Sequence, residues 1–173
     1  GLLEKIALAD KFVAMDNVQY QARGFLHRTL YSTKTEAKYL SLSVSSSGHQ
    51  TSGLVIGNID LSVATVSARH FETLRHRYSR TPGWRLLAPS LGDIMNRQWN
   101  KLIDLNLELL HLTMKTFHVS TPIILGSALD ATGSKQDLII HMVKSIGGSG
   151  YLSGKGARAY MDETRCNKDN IQL

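Results

Sequence analysis

The apolar and polar positions are patterned most regularly between residues 121 and 161. The short apolar run 122–125 predicts a buried strand, and the polar residues 126–133 that follow it predict a loop. A helix is predicted next, because apolar residues recur at helical spacing and would share one face: Leu138, Ile139, Met142, Val143 and Ile146. This stretch therefore predicts a strand–loop–helix unit.

Capping residues mark both ends of that helix. Ser134 followed three residues later by Asp137 is typical of a helix start, and the Gly-Gly pair at 147–148 is typical of a helix end. The apolar pair 151–152 then predicts a second short strand, which leads through Ser-Gly-Lys-Gly into another predicted helix. Ligands of open α/β sheets gather at loops after the carboxyl ends of strands, so both loops are candidate sites.

The same patterns predict the remaining elements. The predicted helices are 2–9, 67–80 and 94–117, the predicted strands are 12–15, 29–31, 39–44 and 54–61, and a serine-rich loop is predicted at 45–53. Pro82 is predicted to break the second helix, with 86–91 bridging to the third. The predicted fold class is α/β, with a mixed or parallel sheet flanked by helices. A length of 173 residues favours one domain spanning residues 1–173.

The loop before residue 134 is a candidate anion site. Free backbone N–H groups at a helix start attract negative charge, and Ser134 and Lys135 lie there. The loop is not the phosphate-binding motif Gly-x-x-x-x-Gly-Lys-Ser/Thr, because Gly126 and Gly133 are too far apart. An ordinary capped helix with an exposed lysine is the alternative interpretation.

A second candidate site follows the predicted strand 12–15. Asp16-Asn17-Val18-Gln19-Tyr20 places an acid, two amides and a phenol within five residues, a set that binds hydroxyls or an amine. The alternative is a turn in which Asp16 and Asn17 bond to the local backbone.

Two predicted helices carry further polar candidates. His70 and Arg77 are seven residues apart beside an apolar face that includes Tyr78, so they project together. They form either an anion-binding pair or a solvated basic flank. Asn106 falls at the centre of an apolar stripe, where an unbonded amide costs roughly 1–3 kcal/mol. It is therefore a structural tie to a neighbouring loop or the floor of a polar site.

Composition narrows the class of protein. Hydrophobic residues make up 42% and charged residues 20%, as in soluble globular proteins, and no apolar run approaches a membrane span of about 20 residues. The net charge of +6 favours an anionic ligand, but no nucleic-acid-binding motif accompanies it. A single cysteine, Cys166, indicates a reducing compartment and predicts a cytoplasmic protein. The spacing of the seven histidines predicts no metal site, and no cofactor is predicted.

Several segments together resemble the WbqC-like protein family, in the right order and over nearly the whole chain: 4–10, 12–20, 105–106, 127–138 and 151–154. The most specific pieces are Asp16-Asn17-Val18-Gln19-Tyr20 and Tyr151-Leu152-Ser153-Gly154. Members of that family are bacterial and archaeal proteins, often encoded with enzymes of surface-polysaccharide and amino-sugar synthesis. Some are labelled glycine or acyl transferases, and no single reaction is assigned to the family.

The resemblance implies a transferase or modifying enzyme acting on an activated, nucleotide-linked amino sugar, as in O-antigen synthesis. Asp16 or His70 is then the candidate general base. In this hypothesis the candidate phosphate-binding residues are Ser127, Gly133, Ser134 and Lys135, and the candidate substrate-binding residues are Gln19, Tyr20, Arg28, Tyr78, Asn106, Tyr151 and Ser153.

Two alternatives stay open. A non-catalytic protein that binds a nucleotide sugar or an assembly partner fits the same residues, and nucleic-acid binding is suggested by the positive charge alone. The family's usual Gln-Pro-x-Tyr-x-Pro segment would precede Gly1, and the chain starts without Met. The sequence therefore predicts a fragment truncated at both ends, which would be inactive if the absent segment forms part of the site.

Overall fold

The computed structural model describes residues 1–33, 35–45, 53–62, 66–154 and 161–173, without the side chains of 66 and 67. In chain order their elements are α1 (Leu2–Leu8), β1 (Phe12–Ala14), β2 (Arg28–Ser32), β3 (Ala37–Ser41), β4 (Val44–Ser45), β5 (Asp60–Leu61), α2 (Val66–Tyr78), α3 (Pro82–Met95), α4 (Leu102–Thr116), β6 (Ile123–Leu125), α5 (Lys135–Ser145) and α6 (Glu163–Lys168). Short 3₁₀ turns lie at Ile56–Asn58 and Gly126–Ala128. Most of the predicted serine-rich loop, and the start of the helix predicted after Gly154, lie outside the described residues.

The chain divides into two compact units. Unit 1 consists of residues 1–16 and 120–173, and unit 2 consists of residues 17–119. The strands form three two-stranded sheets, of which one is parallel and two are antiparallel. The predicted mixed α/β class is confirmed, with small separate sheets in the described part of the chain.

Unit 1 is built around a parallel strand pair. β1 pairs with β6 in the register Phe12↔Ile123 to Ala14↔Leu125, so both strands end at the same edge. The predicted helix of this unit is confirmed as α5, and its inner face packs into a buried cluster: Ile139, Ile140, Val143, Cys166 and Ile171. A left-handed Gly147 (φ +68°) ends α5, and the N–H of Gly148 donates to the carbonyl of Val143 at 2.8 Å.

Unit 2 has its core around three buried side chains. Tyr20, Ile59 and Leu102 are at most 1% exposed, and each aliphatic one contributes roughly 1.5–3 kcal/mol by its burial. The antiparallel hairpin β2–β3 pairs Arg28 with Ser41 at one end and Ser32 with Ala37 at the other. The pair β4–β5 and the helices α2, α3 and α4 complete the unit.

The prediction of one helix over residues 94–117 is wrong, because a break separates α3 from α4. The indole N–H of Trp99 donates to the carbonyl of Ile94 at 2.9 Å, and the N–H of Arg97 donates to the same carbonyl at 3.3 Å, so the chain turns back on the end of α3. Lys101 then forms a β-bridge with Asp60, which requires an extended backbone. The break therefore comes from pairing with a distant segment.

The sequence predicts that Pro82 breaks the second helix and that residues 86–91 form a non-helical connection to the third. This prediction is also wrong in part. Pro82 occupies the first position of α3, where its missing N–H costs nothing, and the helix continues through the predicted bridge 86–91. α3 packs closely on α2, since a Cβ on Gly92 would lie 3.3 Å from the Phe71 ring.

Two predicted strands are wrong as well. Tyr151 and Leu152 form no strand; a single parallel bridge joins Gly150 to Gln172. Residues 54–61 are divided between a bridge at Val55, the turn Ile56–Asn58 and β5. Glycine lowers β-propensity, and Gly57 lies inside that turn. Among the described residues, no helix is long and apolar enough to cross a membrane.

Candidate functional site

The candidate site of unit 1 lies where β1 and β6 end. Asp16 follows β1, and Ser127 lies in the 3₁₀ turn directly after β6. Asp16 Oδ1 accepts a hydrogen bond from the Ser127 N–H at 2.8 Å, and Oδ2 accepts one from Ser127 Oγ at 2.6 Å. Asp16 is only 7% exposed, whereas Ser127 is exposed. A buried carboxylate thus holds an accessible hydroxyl at this edge.

The predicted phosphate loop continues from Ser127 to the start of α5. Gly133 adopts φ +107°, and a Cβ there would lie 3.2 Å from Asp137 Cβ. Lys135, the first residue of α5, also has a positive φ, +51°, which is costly for a residue with a side chain. Ser134 and Lys135 are both exposed. The loop thus contains a glycine that its geometry requires and a lysine in a strained conformation.

The predicted start of the helix at Ser134 is confirmed as the start of α5. Ser134 is the N-cap, but its side chain makes no capping hydrogen bond. The Asp137 carboxylate instead lies 3.5 Å from the guanidinium of Arg165. The first turn of α5 therefore has no side-chain cap from Ser134.

Gln136, in the first turn of α5, was not among the predicted site residues. Its amide group donates to the carbonyl of Asp162 at 2.7 Å and accepts from the N–H of Asp162 at 3.0 Å. It also lies 3.3 Å from Cys166 Sγ. Nothing in the local sequence signals this pairing, because the two residues are 26 positions apart.

Tyr151 and Ser153 also belong to unit 1. Tyr151 packs against the core cluster of α5, and its N–H donates to the carbonyl of Gln172 at 2.8 Å. Ser153 Oγ donates to the carbonyl of Gly154 at 3.2 Å, and Lys5 Nζ lies close to the same glycine. Both predicted substrate-binding residues thus have structural contacts.

In unit 2, Tyr20 belongs to a buried polar pair. Its hydroxyl lies 2.8 Å from Nδ1 of His27, a residue that was not among the predicted site residues. Burial raises the pKa of Tyr20 and lowers that of His27; the Arg28 charge opposes the Tyr20 shift and adds to the His27 shift. The neutral forms of both groups are favoured. Gln19 is exposed and forms a β-bridge with Val55.

Arg28 lies beside two aromatic rings that contact each other. Its guanidinium carbon is 4.7 Å from the ring centre of Tyr39 and 5.9 Å from that of Phe25. Its N–H groups donate to the carbonyls of Gly24 at 3.1 Å and Arg23 at 2.5 Å. Two of its donors are therefore bound to the backbone.

The helical candidates of unit 2 all contact backbone. Tyr78 Oη accepts from the N–H of Ser32 at 3.3 Å, and Asn106 Nδ2 donates to the carbonyl of Leu26 at 2.9 Å, as the structural interpretation of Asn106 expects. His70 bonds to the backbone of Ser41; burial lowers its pKa more than that bond raises it, and the nearby Arg69 charge lowers it further.

The described residues place the candidates in two sets. Asp16, Ser127 and the start of α5 belong to unit 1, and His27, His70 and Arg28 belong to unit 2. No group of three His, Cys, Asp or Glu that could hold a metal occurs in the described ranges. In unit 1, the available chemistry is an exposed hydroxyl backed by a carboxylate.

Comparisons with known proteins agree with the predicted resemblance. The model of the WbqC-like protein family matches residues 1–173 and so covers the whole chain. A relative from Mycobacterium tuberculosis (strain ATCC 25618 / H37Rv), the "Uncharacterized protein Rv1507c", is 25% identical over 177 residues, which cover 100% of this chain and 74% of the relative. No solved structure matches the chain significantly.

Proposed function

The chain belongs to the WbqC-like protein family, and we propose that unit 1 binds an activated, nucleotide-linked amino sugar. The proposed activity is transfer of an acyl group to that sugar, or another modification of it, in surface-polysaccharide synthesis. The proposal is supported by the kind of protein that the resemblance implies and by the geometry at the ends of β1 and β6.

The observation that carries the proposal is the pairing of Asp16 with Ser127. Ligands of α/β proteins bind outside the carboxyl ends of parallel strands, and both residues lie at that edge. Because Ser127 Oγ donates its proton to a buried carboxylate, its lone pairs are left for a donor from outside. A sugar hydroxyl or amine provides such a donor.

The start of α5 supplies the proposed phosphate contacts. Gly133 and Ser134 are exposed before the first turn, and the N–H groups of that turn favour an anion. Lys135 adds a positive charge at the same place. These residues belong to the loop that the sequence predicts as an anion site.

Asp16 acts mainly as a positioning residue in this proposal. Both of its oxygens already accept hydrogen bonds from Ser127, so it fixes where the hydroxyl points. Oδ2 is also the nearest proton acceptor for Oγ, at 2.6 Å. The predicted roles of His70, Gln19, Tyr20, Arg28, Tyr78 and Asn106 remain predictions for unit 2.

A second candidate function is a non-catalytic binding protein for the same ligand. It is favoured by the same hydrogen bonds, since a carboxylate that accepts from both Ser127 groups is not a free general base. The two candidates differ only in turnover.

A thermal-shift titration with a nucleoside diphosphate-linked amino sugar tests the binding site, because ligand binding to the folded state raises the unfolding midpoint. We expect a shift that is lost in Ser127→Ala and Lys135→Ala. The exposed residues Ser149 and Lys168 provide the matched controls Ser149→Ala and Lys168→Ala. A shift that all four variants retain would rule out this site.

Incubation of that sugar with an acyl thioester separates the two candidates. In an acyl transferase the sugar amine displaces the thiol, an amide forms, and the mass of the sugar rises. Binding without any mass change would favour the non-catalytic candidate.

A further inference from the structure

The positive charge of the chain is concentrated in unit 2. Residues 17–119 hold twelve of the twenty Lys and Arg residues but six of the fourteen Asp and Glu residues. The remaining residues carry eight of each kind, so unit 1 is balanced. The whole net charge of +6 therefore belongs to unit 2, which holds none of the phosphate contacts proposed above.

Within unit 2, arginines line a groove of about 920 Å³ between α2 and the end of strand β2. Its cationic lining consists of Arg69, Arg77 and Arg80, and His76 lies among them. Arg80 also lines a neighbouring hollow of about 390 Å³, together with Arg85. The basic lining is thus continuous past the end of α2.

The walls of this groove are held together by hydrogen bonds. Arg77 Nε donates to the carbonyl of Ser32 at 2.6 Å, and its terminal nitrogen donates to the carbonyl of Thr33 at 3.1 Å. The N–H of Ser32 donates to Tyr78 Oη at 3.3 Å. These contacts fix strand β2 to the last turn of α2, so the groove is preformed.

Two of the lining arginines keep their charge available. Glu72, the acidic residue of the lining, is paired with Arg75, a neighbour on α2. In the described ranges, no carboxylate lies within ion-pair distance of Arg69 or Arg80. Positive charges in a concave site reinforce one another and concentrate anions there.

We propose that this groove binds a small molecule bearing two adjacent phosphate groups. Arginine is suited to phosphate because its guanidinium donates two parallel hydrogen bonds. Arg69 and Arg77 lie on the same helix, about 12 Å apart along its axis, so the charges span more than one phosphate. The volume of the groove lies within the range of small-molecule sites. Tyr31 and Thr33 also line the groove, and the Thr33 hydroxyl is bonded to the backbone of Glu36.

Calorimetric titration of the full chain with inorganic pyrophosphate tests this proposal. We expect Arg69→Ala and Arg80→Ala each to weaken binding by about tenfold or more, because each removes a charge-assisted hydrogen bond. Arg69→Lys keeps the charge and should lose less than Arg69→Ala. Both arginines are exposed, so their replacement leaves the core intact.

Lys115→Ala is the matched control, because Lys115 is exposed on α4 and its loss changes the net charge of unit 2 equally. It should leave pyrophosphate binding unchanged. If Lys115→Ala weakened pyrophosphate binding equally, the loss of affinity would be due to net charge alone, and the proposal would be overturned.

Titrations with other anions and with a further variant show which ligand binds and where it binds. Sulfate should bind more weakly than pyrophosphate, since it presents one anionic centre. Absence of pyrophosphate binding overturns the proposal, as does equal affinity for sulfate or binding restricted to a single-stranded oligonucleotide. Lys135→Ala should have no effect here; a loss in that variant would assign the pyrophosphate to the loop of unit 1 instead. The inference does not depend on the amino-sugar function.

Discussion

Asp16 and Ser127, 111 positions apart in the sequence, are joined by two hydrogen bonds between the ends of adjacent parallel strands. One bond comes from the backbone and one from the side chain of Ser127, so the contact fixes the loop as well as the hydroxyl. It therefore contributes to stability and to the proposed site at once.

The two contributions can be separated by substitution. Asp16→Ala leaves both donors without their acceptor and should lower the free energy of unfolding by about 1–3 kcal/mol, while Ser127→Ala removes one bond and should cost about 0.5–1.5 kcal/mol. Urea unfolding of the single and double variants measures the coupling. Additive losses would show that the two side chains do not interact.

Two half-buried histidines make the stability of unit 2 depend on pH. Burial holds the pKa values of His27 and His70 below the ordinary 6.5, so the folded state binds these protons less readily than the unfolded state. The contribution of these two histidines to stability is therefore fully present above pH 6.5, and it is lost as the pH falls toward and through their pKa values in the folded state. We expect the unfolding midpoint to decrease between about pH 7 and about pH 5.

Substitution shows whether these histidines cause that loss. His27→Gln combined with His70→Gln should flatten the pH dependence of the midpoint. His111→Gln is the control, since His111 is exposed on α4. An unchanged slope in the double variant would assign the pH dependence to other groups.

Lys135 is expected to destabilise the folded protein, because its backbone conformation is unfavourable for a residue with a side chain. Its φ of +51° is unfavourable for any residue except glycine by roughly 1–2 kcal/mol. Lys135→Gly should therefore raise the free energy of unfolding by about 1 kcal/mol while weakening binding of the nucleotide-linked sugar.

His118 provides the comparison for that prediction, because it has φ +56° just after the end of α4. His118→Gly should stabilise by a similar amount and leave ligand binding unchanged. Chemical denaturation and thermal shift with ligand measure the two effects. If Lys135→Gly destabilises the protein, the strain argument is wrong.

Substitution by alanine should have opposite effects on the free energy of unfolding at Gly133 and at Gly83. At Gly133 the φ of +107° is strained for alanine, and the new Cβ would crowd Asp137 at 3.2 Å. We expect Gly133→Ala to lower the free energy of unfolding by about 1–3 kcal/mol. Gly83 lies in the first turn of α3 with no atom near its Cβ position, so Gly83→Ala should gain about 0.5–1 kcal/mol. Similar midpoints for both variants would contradict the assigned backbone conformations.

Two elements of unit 1, β6 and α5, were predictable because their signals are local. The apolar run before Gly126 and the helical spacing from Leu138 are sufficient to place β6 and α5. The split between α3 and α4 was not predictable, because Trp99 fits a helical stripe and the break depends on a bridge to Asp60. Local periodicity gives no information on such distant pairing.

The candidate site was likewise predictable only where its signals are local. Asp16 was predicted from its place after a strand, and Ser127 from its place in the next predicted loop. Their hydrogen bonds depend on the register Ala14↔Leu125, which a single sequence does not provide. The buried Tyr20–His27 pair was likewise missed as a pair, because His27 lies in a segment without regular periodicity.

The division of unit 1 between the two ends of the chain has a consequence for synthesis. β1 leaves the ribosome early, but its partner β6 follows only after all of residues 17–119. Unit 2 is complete by then and can fold first, since domains generally fold as units during translation. The edge that joins Asp16 to Ser127 is therefore assembled last, and a nascent chain stopped near residue 119 would present β1 without its neighbour.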